Sequence, residues 1–298
     1  YTLIFFFKTL RLKKILIKDK PDYLIIHLIT FIPLMLLLNN KFQTNFVLRI
    51  SGLPKLNFLR KFLWKIVSKK IHLVTCPSEQ TRIFIQQQNI FPKDKIVTLY
   101  DPILNVKLIK KNTEKNVNND KIEKNFFLCV GRLTRQKNHK LVINAFSNII
   151  NKNIHLYIAG EGEKKKYLLK LIKNKNLQDR VHLLGQINNI FPYFKKSMAV
   201  ISSSLWEDPG AVMIEAAFCR KNVISSNCPN GPKEFLMNGK SGYLFQNNNQ
   251  NDLESKISEF LNDKDEVKLE KIKLNLKNSK NYTLFHHFIQ LKQFINLE

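Results

Sequence analysis

Cysteine is scarce in this sequence of 298 residues, which argues against folds stabilised by disulfides or by structural zinc. The four cysteines, Cys76, Cys129, Cys219 and Cys228, lie far apart, and none belongs to a C-x-x-C pair. We therefore expect neither a disulfide scaffold nor a structural zinc site, and a reducing, cytosolic setting.

A long apolar run is also missing, which argues against a membrane-spanning helix. The most apolar stretch, residues 23–38, is shorter than the roughly 20 residues that a span needs, and it contains His27 and Pro33. Nor does any segment resemble a signal peptide. We predict a strand, a turn and the start of a helix in this stretch.

Acidic side chains are few: 23 Asp and Glu face 49 Lys and Arg, for a net charge of +26. Residues 1–110 carry 19 basic and 5 acidic side chains, whereas residues 111–298 carry 30 and 18. The basic front portion would attract anionic lipid, nucleic acid or a phosphorylated substrate, but a solvated lysine surface explains it equally well. Because no RNA-binding or DNA-binding signature is present, no nucleic-acid partner is expected, although a basic nucleic-acid-binding protein stays an alternative.

Short apolar runs alternate with amphipathic helical stretches in the second half of the sequence. One such stretch, residues 139–150, places its apolar side chains on one helical face. This alternation predicts a doubly wound parallel α/β domain, which binds ligands beyond the carboxyl ends of its strands. The predicted strands are residues 126–130, 154–159, 181–184, 198–202, 222–226 and 242–245.

The first half repeats the α/β pattern less clearly. Its predicted helices are residues 3–18, 56–69 and a third from the cap Ser78 to about residue 89, and its predicted strands are residues 23–27, 46–50, 71–75 and 96–99. The polar run 110–124 is typical of a linker. We therefore predict one domain over residues 1–110 and a second, with C-terminal helices, over residues 111–298.

Two short motifs follow predicted strands. In "GRLTRQKN", Gly131 permits a tight turn, Arg132 and Lys137 place two cations above the sheet edge, and Asn138 is expected to cap the next helix. Two cations beside a helix start suit a diphosphate, although two surface cations on a loop are the simpler alternative. In "AGEGE", the glycines Gly160 and Gly162 allow close approach to a ligand, but an ordinary turn explains them equally well.

The third motif, "SSSLWEDPGAVMIEAA", pairs two glutamates with a helix start. We predict that Asp208 caps this helix and that Pro209 is its first residue. Glu207 then precedes the positive helix end, and Glu215 lies near its second turn. Two carboxylates there can accept hydrogen bonds from sugar or ribose hydroxyls. The alternative gives Glu207 a capping role and Glu215 a hydrogen bond at the core edge.

Together with "SSNCPNGPKEFLMNGKSGYLF", these motifs fall in order at successive strand ends, and over about residues 100–262 the sequence resembles the donor-binding half of the family 4 retaining nucleotide-sugar glycosyltransferases. The resemblance implies the GT-B fold, with two Rossmann-like domains. It also implies transfer of a hexosyl group from a nucleotide-sugar donor such as a UDP-sugar to a glycan or lipid-linked acceptor in polysaccharide or lipopolysaccharide synthesis. No cofactor and no metal are expected. The protein is expected in the cytoplasm, either free or attached to the inner face of the membrane.

The resemblance also implies a role for each matching residue. Arg132 and Lys137 match the cations that hold the donor diphosphate, Glu207 matches the ligand of the transferred sugar, and Glu215 matches the ribose ligand. The remaining donor-binding residues are Gly131, Gly160, Glu161 and the segment Asp208, Pro209, Gly210 and Ala211, whose amides face the sugar. Glu234 matches the family's glutamate that packs near the nucleotide, and Arg132, Lys137 and Glu207 are the expected catalytic residues.

The sequence departs from the family pattern in its front portion. No glycine-rich first turn precedes residues 1–18, so we expect the first domain to be truncated at its N-terminus. Ser51, followed by Gly52, stands where the family often has a histidine on the acceptor side, and His27 is expected to be structural. A donor-binding relative with impaired catalysis is therefore an alternative.

Residues 55–70, "KLNFLRKFLWKIVSKK", combine Phe58, Phe62 and Trp64 with six basic side chains. A basic amphipathic helix with aromatic side chains is typical of attachment to an anionic bilayer surface. A helix that packs on the sheet of the first domain fits the same pattern.

Overall fold

The computed structural model describes residues 2–114 and 125–295. Its contacts divide the chain into two compact units, Tyr1–Tyr100 with Gln290–Glu298, and Asp101–Ile289. Each unit has its own parallel sheet, which confirms the prediction of two α/β domains.

The first unit is built on a four-stranded parallel sheet. Its elements are α1 (Thr2–Lys18), β1 (Tyr23–His27), α2 (Phe31–Asn39), β2 (Asn45–Arg49), α3 (Phe58–Val67), β3 (Leu73–Cys76), α4 (Glu79–Gln87) and β4 (Ile96–Thr98). The strands pair in the order β1-β2-β3-β4. As predicted, Ser78 caps α4, because its hydroxyl oxygen accepts a hydrogen bond from the Thr81 N–H at 3.1 Å.

The core of the first unit forms where helices cover the sheet. Phe46 and Leu48 of β2 and Val74 of β3 are buried together with Trp64 and Val67 of α3. Burial of apolar side chains from both elements is the main source of stability for such a layer. The predicted packing of α3 on the first sheet is therefore correct for one face of this helix.

The second unit is built on a six-stranded parallel sheet. Its strands are β5 (Phe126–Val130), β6 (His155–Ala159), β7 (Val181–Gly185), β8 (Ala199–Ser202), β9 (Asn222–Ser226) and β10 (Tyr243–Phe245), and its helices are α5 (Val106–Thr113), α6 (His139–Ser147), α7 (Lys165–Asn174), α8 (Phe191–Lys196), α9 (Ala211–Phe218), α10 (Pro232–Phe235), α11 (Gln250–Asn262) and α12 (Asp265–Ser279). The strand order is β10-β9-β8-β5-β6-β7. The last helix, α13 (Leu284–Phe294), begins in the second unit and ends in the first.

The division between the units falls before residue 101, ten residues ahead of the boundary expected from the polar run. The reason is α5, which the sequence pattern did not indicate. The Asn189 side chain donates a hydrogen bond to the Asn112 carbonyl at 2.9 Å, and Leu104 pairs with Thr283, so this segment belongs to the second unit. Residues 115–124 of the predicted linker lie outside the described residues.

One helix is shorter than its apolar pattern predicts. The pattern of α6 continues to Ile150, but the helix ends at Ser147. Ile149 is therefore only partly buried, and Ile150 is 91% exposed. Apolar spacing alone did not locate this end, because it carries no information on capping.

Two findings concern the cysteines and the apolar stretches. All four cysteines are free, and Cys76, Cys129 and Cys228 are buried. Within residues 2–114 and 125–295, no helix is both long enough and apolar enough to cross a membrane.

Candidate active site

The candidate site lies at the carboxyl edge of the six-stranded sheet, in loops that follow neighbouring strands. Because β8, β5 and β6 are adjacent, the loops that begin at Ser203, Gly131 and Gly160 start side by side. Parallel strands place all their carboxyl ends on one edge, which is where such sheets bind ligands. The fourth motif follows β9, the other neighbour of β8, so all four motifs that carried the resemblance meet at this edge.

Gly160 and Gly162 let the loops after β5 and β6 touch. A Cβ atom on Gly160, whose φ angle is 146°, would lie 2.0 Å from the Gly131 carbonyl oxygen, and one on Gly162 would lie 2.5 Å from the Leu133 carbonyl oxygen. The Leu133 N–H donates to the Glu161 carbonyl at 2.8 Å, which joins the two loops further. These glycines thus allow the backbones of the two loops to come close together. The sequence pattern had left this role undecided.

A partly buried ion pair joins the first and third motifs. Lys137 Nζ lies 2.6 Å from Glu207 Oε1, and the two side chains are 18% and 8% exposed. The alternative, in which the Glu207 side chain caps a helix, is therefore wrong. A partly buried pair of this kind is held more firmly than a surface pair, because water screens it less.

A second donor holds the Glu207 carboxylate, and the motif analysis missed it. The buried Ser204 hydroxyl donates a hydrogen bond to Glu207 Oε1 at 2.5 Å. Ser226 in turn donates to the Ser204 carbonyl at 2.6 Å, so β9 supports this loop. The available signal was the spacing of three residues between Ser204 and Glu207, which suits a hydroxyl–carboxylate bond across a turn.

The helix of the third motif begins later than predicted. Its first residue is Ala211, and Gly210, with a φ angle of 100°, precedes it. Asp208 does not cap the helix, because Gly210 occupies the capping position and no side chain among the described residues caps it; Asp208 Oδ1 instead accepts a hydrogen bond from the Asn230 side chain at 3.0 Å. The predicted start at Pro209 is therefore wrong. The first N–H groups of α9, which have no partner within the helix, directly follow this turn.

Arg132 and Glu161 occupy the same edge with different surroundings. Arg132 is exposed, and within the described parts of the chain its guanidinium makes no hydrogen bond or ion pair. Glu161 forms an exposed pair with Lys165 at 2.7 Å. Asn138 precedes α6 as predicted, but its side chain bonds Asn248 at 3.1 Å instead of capping the helix.

Glu215 lies on the second turn of α9, half-buried, and is not bonded to the Lys137–Glu207 pair. Among residues 2–114 and 125–295 its carboxylate has no hydrogen-bond partner, which contradicts the alternative of a core-edge hydrogen bond. Burial raises the pKa of Glu215 from 4.5 to about 7, because a charged carboxylate loses its water there. Such an unsatisfied acceptor suits a ligand that brings hydroxyl donors.

This pKa predicts a stability effect of Glu215→Gln that depends on pH. The folded state holds the Glu215 proton more tightly than the unfolded state, so the native protein loses stability as the pH rises from 4.5 through about 7. In urea unfolding, we expect the variant to gain about 2–3 kcal/mol over the native protein at pH 8.5 and under about 1 kcal/mol at pH 5. Glu266→Gln, at an exposed position, is the control, and an equal difference at both pH values would contradict the assignment.

The predicted acceptor-side residues lie in the first unit, at the carboxyl end of β2. Ser51 Oγ lies 2.7 Å from His27 Nε2, and Gly52 is buried with a φ angle of 56°. His27 is exposed at the end of β1, so its visible role is this bond to Ser51. No group of three or more His, Cys, Asp or Glu side chains in the described parts of either unit could hold a metal ion.

The fold is that of known sugar-transferring enzymes. A glycosyltransferase from Rickettsia africae has a TM-score of 0.79 at 18% identity, covering 100% of this chain and 83% of that chain. The HepE protein of Anabaena, in complex with UDP-glucose, has a TM-score of 0.72 at 18% identity, covering 92% and 78%. At these identities the likeness shows the fold alone, which is the GT-B fold of two Rossmann-like domains.

Sequence comparison identifies the family. The family model described as glycosyl transferases group 1 matches residues 110–279, and the chain belongs to this family. An uncharacterized glycosyltransferase of Methanocaldococcus jannaschii is 31% identical over 249 residues, covering 77% of this chain and 61% of that protein. The N-acetylgalactosamine-N,N'-diacetylbacillosaminyl-diphospho-undecaprenol 4-alpha-N-acetylgalactosaminyltransferase of Campylobacter jejuni is 32% identical over 209 residues, covering 70% and 55%. The chain thus spans less than two thirds of the length of these two relatives.

Proposed function

We propose that this chain is a retaining glycosyltransferase of family 4. It moves a hexosyl group from a UDP-sugar to a glycan or lipid-linked acceptor. The product is a cell-surface polysaccharide or lipopolysaccharide. The observation that carries the proposal is the Lys137–Glu207 pair at 2.6 Å, with the exposed Arg132 in the same loop as Lys137 at the carboxyl edge of the sheet. The similarity to a protein in complex with UDP-glucose, and to a relative named for a diphospho-undecaprenol substrate, supports it.

In this proposal the donor diphosphate binds Arg132 and Lys137. Because Lys137 is paired with Glu207, a diphosphate binds the Arg132 guanidinium directly and competes with Glu207 for the Lys137 ammonium. The first N–H groups of α9 face the same turn and favour negative charge. Charge that grows on the leaving diphosphate is stabilised by these three groups.

The sugar and the ribose are assigned to the two glutamates. Glu207 is held in one place by Lys137 and Ser204, so its carboxylate can accept a sugar hydroxyl without first being ordered. Glu215 accepts the ribose hydroxyls. Retention then proceeds by attack of the acceptor on the same face, with a phosphate oxygen taking the acceptor's proton, and no protein nucleophile is required.

Donor binding is tested by a thermal-shift panel of UDP-, GDP- and ADP-sugars. A ligand that binds only the native state raises the melting temperature, and we expect the UDP-sugars to do so. Arg132→Gln should weaken this binding by about 10-fold or more, since a charge-assisted hydrogen bond to phosphate is lost. Arg135→Gln removes an exposed arginine from the same loop and should bind as the native protein does. If no nucleotide sugar shifts the melting temperature, or if both variants weaken equally, the donor site is wrong.

Attachment to an anionic membrane surface is the second part of the proposal. The outer face of α3 exposes Phe58, Leu59 and Phe62, with the rings of Phe58 and Phe62 stacked at 6.2 Å between centroids. Lys61 and Lys65 on the same helix are exposed as well. Exposed aromatic side chains flanked by cations fit an anionic bilayer surface.

Liposome sedimentation tests this surface. The native protein should bind vesicles that contain anionic phosphatidylglycerol at low salt and lose most of this binding at high salt. Phe58→Ser with Phe62→Ser should weaken it by about 10-fold or more, since two aromatic side chains lose their burial in the bilayer. Phe285→Ser, which changes an equally exposed aromatic outside α3, is the control. No binding at low salt, or equal loss in the control, removes the proposal.

A further inference from the structure

The first unit contains a cavity lined by two arginines that neither the donor site nor the exposed face of α3 explains. It has a volume of about 150 Å³ and lies between the carboxyl end of β2 and α3. The polar side chains among its lining residues are Thr30, Arg49, Ser51, Arg60 and Trp64. The described residues that line it include two guanidinium groups and no carboxylate.

One residue that lines the cavity, Trp64, has a buried indole N–H without a partner among the described residues. Trp64 is 3% exposed, and its Nε1 atom has no hydrogen-bond partner within the described parts of the chain. Native proteins rarely leave a buried donor unsatisfied, because it has given up water and gained no acceptor. An indole N–H can only donate, so the missing partner is an acceptor.

The other polar groups of the cavity have the same preference. Arg60 is exposed and uses one of its N–H groups to bond the Lys55 carbonyl at 2.8 Å, which holds its guanidinium near the cavity. Arg49 is buried and donates to the Leu99 carbonyl at 2.6 Å. The Ser51 hydroxyl is fixed by His27 at 2.7 Å. Guanidinium groups donate and never accept, so a ligand with several acceptor oxygens and negative charge fits best.

We propose that this cavity binds a phosphoryl group of the acceptor substrate, so that the enzyme takes acceptors that carry phosphate or diphosphate. The inference rests on the proposed function, because only a sugar-transferring enzyme binds an acceptor substrate. A phosphoryl group offers oxygens in several directions, as donors on β2 and α3 require, and Arg60 binds two of them as a planar fork. The phosphate belongs either to a lipid-linked diphosphate or to a soluble phosphate-bearing glycan.

Trp64 itself can report on this cavity. The sequence has two tryptophans, so Trp206→Phe leaves Trp64 as the only indole. We expect inorganic pyrophosphate to change the fluorescence of Trp64 in this variant, in a saturable manner and in the presence of excess UDP. Arg60→Gln should weaken this response by 10-fold or more, and Lys61→Gln, the same loss of charge one residue along α3, should leave it within 2-fold.

Two further ligands distinguish the sources of the phosphate. Tighter binding of farnesyl diphosphate than of pyrophosphate indicates a lipid-linked diphosphate, whereas binding of glycerol 3-phosphate at least as tight as that of pyrophosphate indicates a soluble phosphate-bearing glycan. The proposal is overturned if Trp64 responds to none of these ligands, or if Arg60→Gln and Lys61→Gln weaken the response equally. A UDP-sugar thermal shift without a Trp64 response overturns this inference alone, while a Trp64 response without a UDP-sugar shift overturns the donor site.

Discussion

Glu207→Gln should reduce sugar transfer by about 100-fold or more while the protein stays folded. The variant keeps the size of the side chain, and the amide oxygen can still accept the Ser204 hydrogen bond. What it loses is the negative charge, which orients Lys137 at 2.6 Å and accepts the sugar hydroxyl most strongly. Release of UDP from a UDP-sugar, with and without acceptor, measures the effect.

The control for this variant removes a similar ion pair elsewhere. Glu259 lies 2.6 Å from Lys256 on α11, away from the sheet edge, and Glu259→Gln should transfer sugar as the native protein does. Binding gives a second readout: Glu207→Gln should lower the affinity for UDP-sugar more than the affinity for UDP. Equal turnover in the two variants would refute the role of Glu207. Donor binding by a native protein that transfers nothing would instead favour a relative with impaired catalysis.

Gly160→Ala should destabilise the second unit by about 3 kcal/mol or more. The new Cβ atom would lie 2.0 Å from the Gly131 carbonyl oxygen and 2.8 Å from its carbon, and both are backbone atoms. The φ angle of 146° adds strain for any residue with a side chain. The two loops must separate, so donor binding should weaken together with stability.

Gly239→Ala is the control, because it introduces backbone strain without a steric clash. Gly239 also has a positive φ angle, 91°, but its nearest neighbour for a new Cβ atom is Leu244 Cβ at 3.8 Å. This variant should lose only about 1 kcal/mol, the cost of the backbone conformation. Urea unfolding of both variants checks the difference, and similar losses would mean that the contact between the loops is not tight.

The fold could be predicted from the sequence because its strands are short, apolar and separated by helices. The strands β1, β5 and β9 have the predicted bounds, since a buried parallel strand is a continuous apolar run between turns. The end of α6 and the whole of α5 could not be placed in the same way. Tertiary contacts, such as the bond from Asn189 to the Asn112 carbonyl, decide them.

The geometry of the candidate site could be predicted in part. The loops that follow β5 and β8 meet as expected, because strand order brings their carboxyl ends together. The start of α9 was wrong, because the Asp208 side chain bonds Asn230, a residue distant in sequence, and no local pattern shows this. The support of Glu207 by Ser204 and the cavity beside Trp64 likewise depend on contacts in three dimensions.

The last described residues complete the first unit. Ile295 packs on Val47 and Leu73, and its carbonyl accepts a hydrogen bond from the Tyr23 hydroxyl at 2.5 Å. During synthesis on the ribosome, the six-stranded sheet can therefore form before the four-stranded sheet has gained its last apolar contact. A deletion near residue 290 would accordingly disturb the first unit, although the strands of that unit lie within residues 23–98.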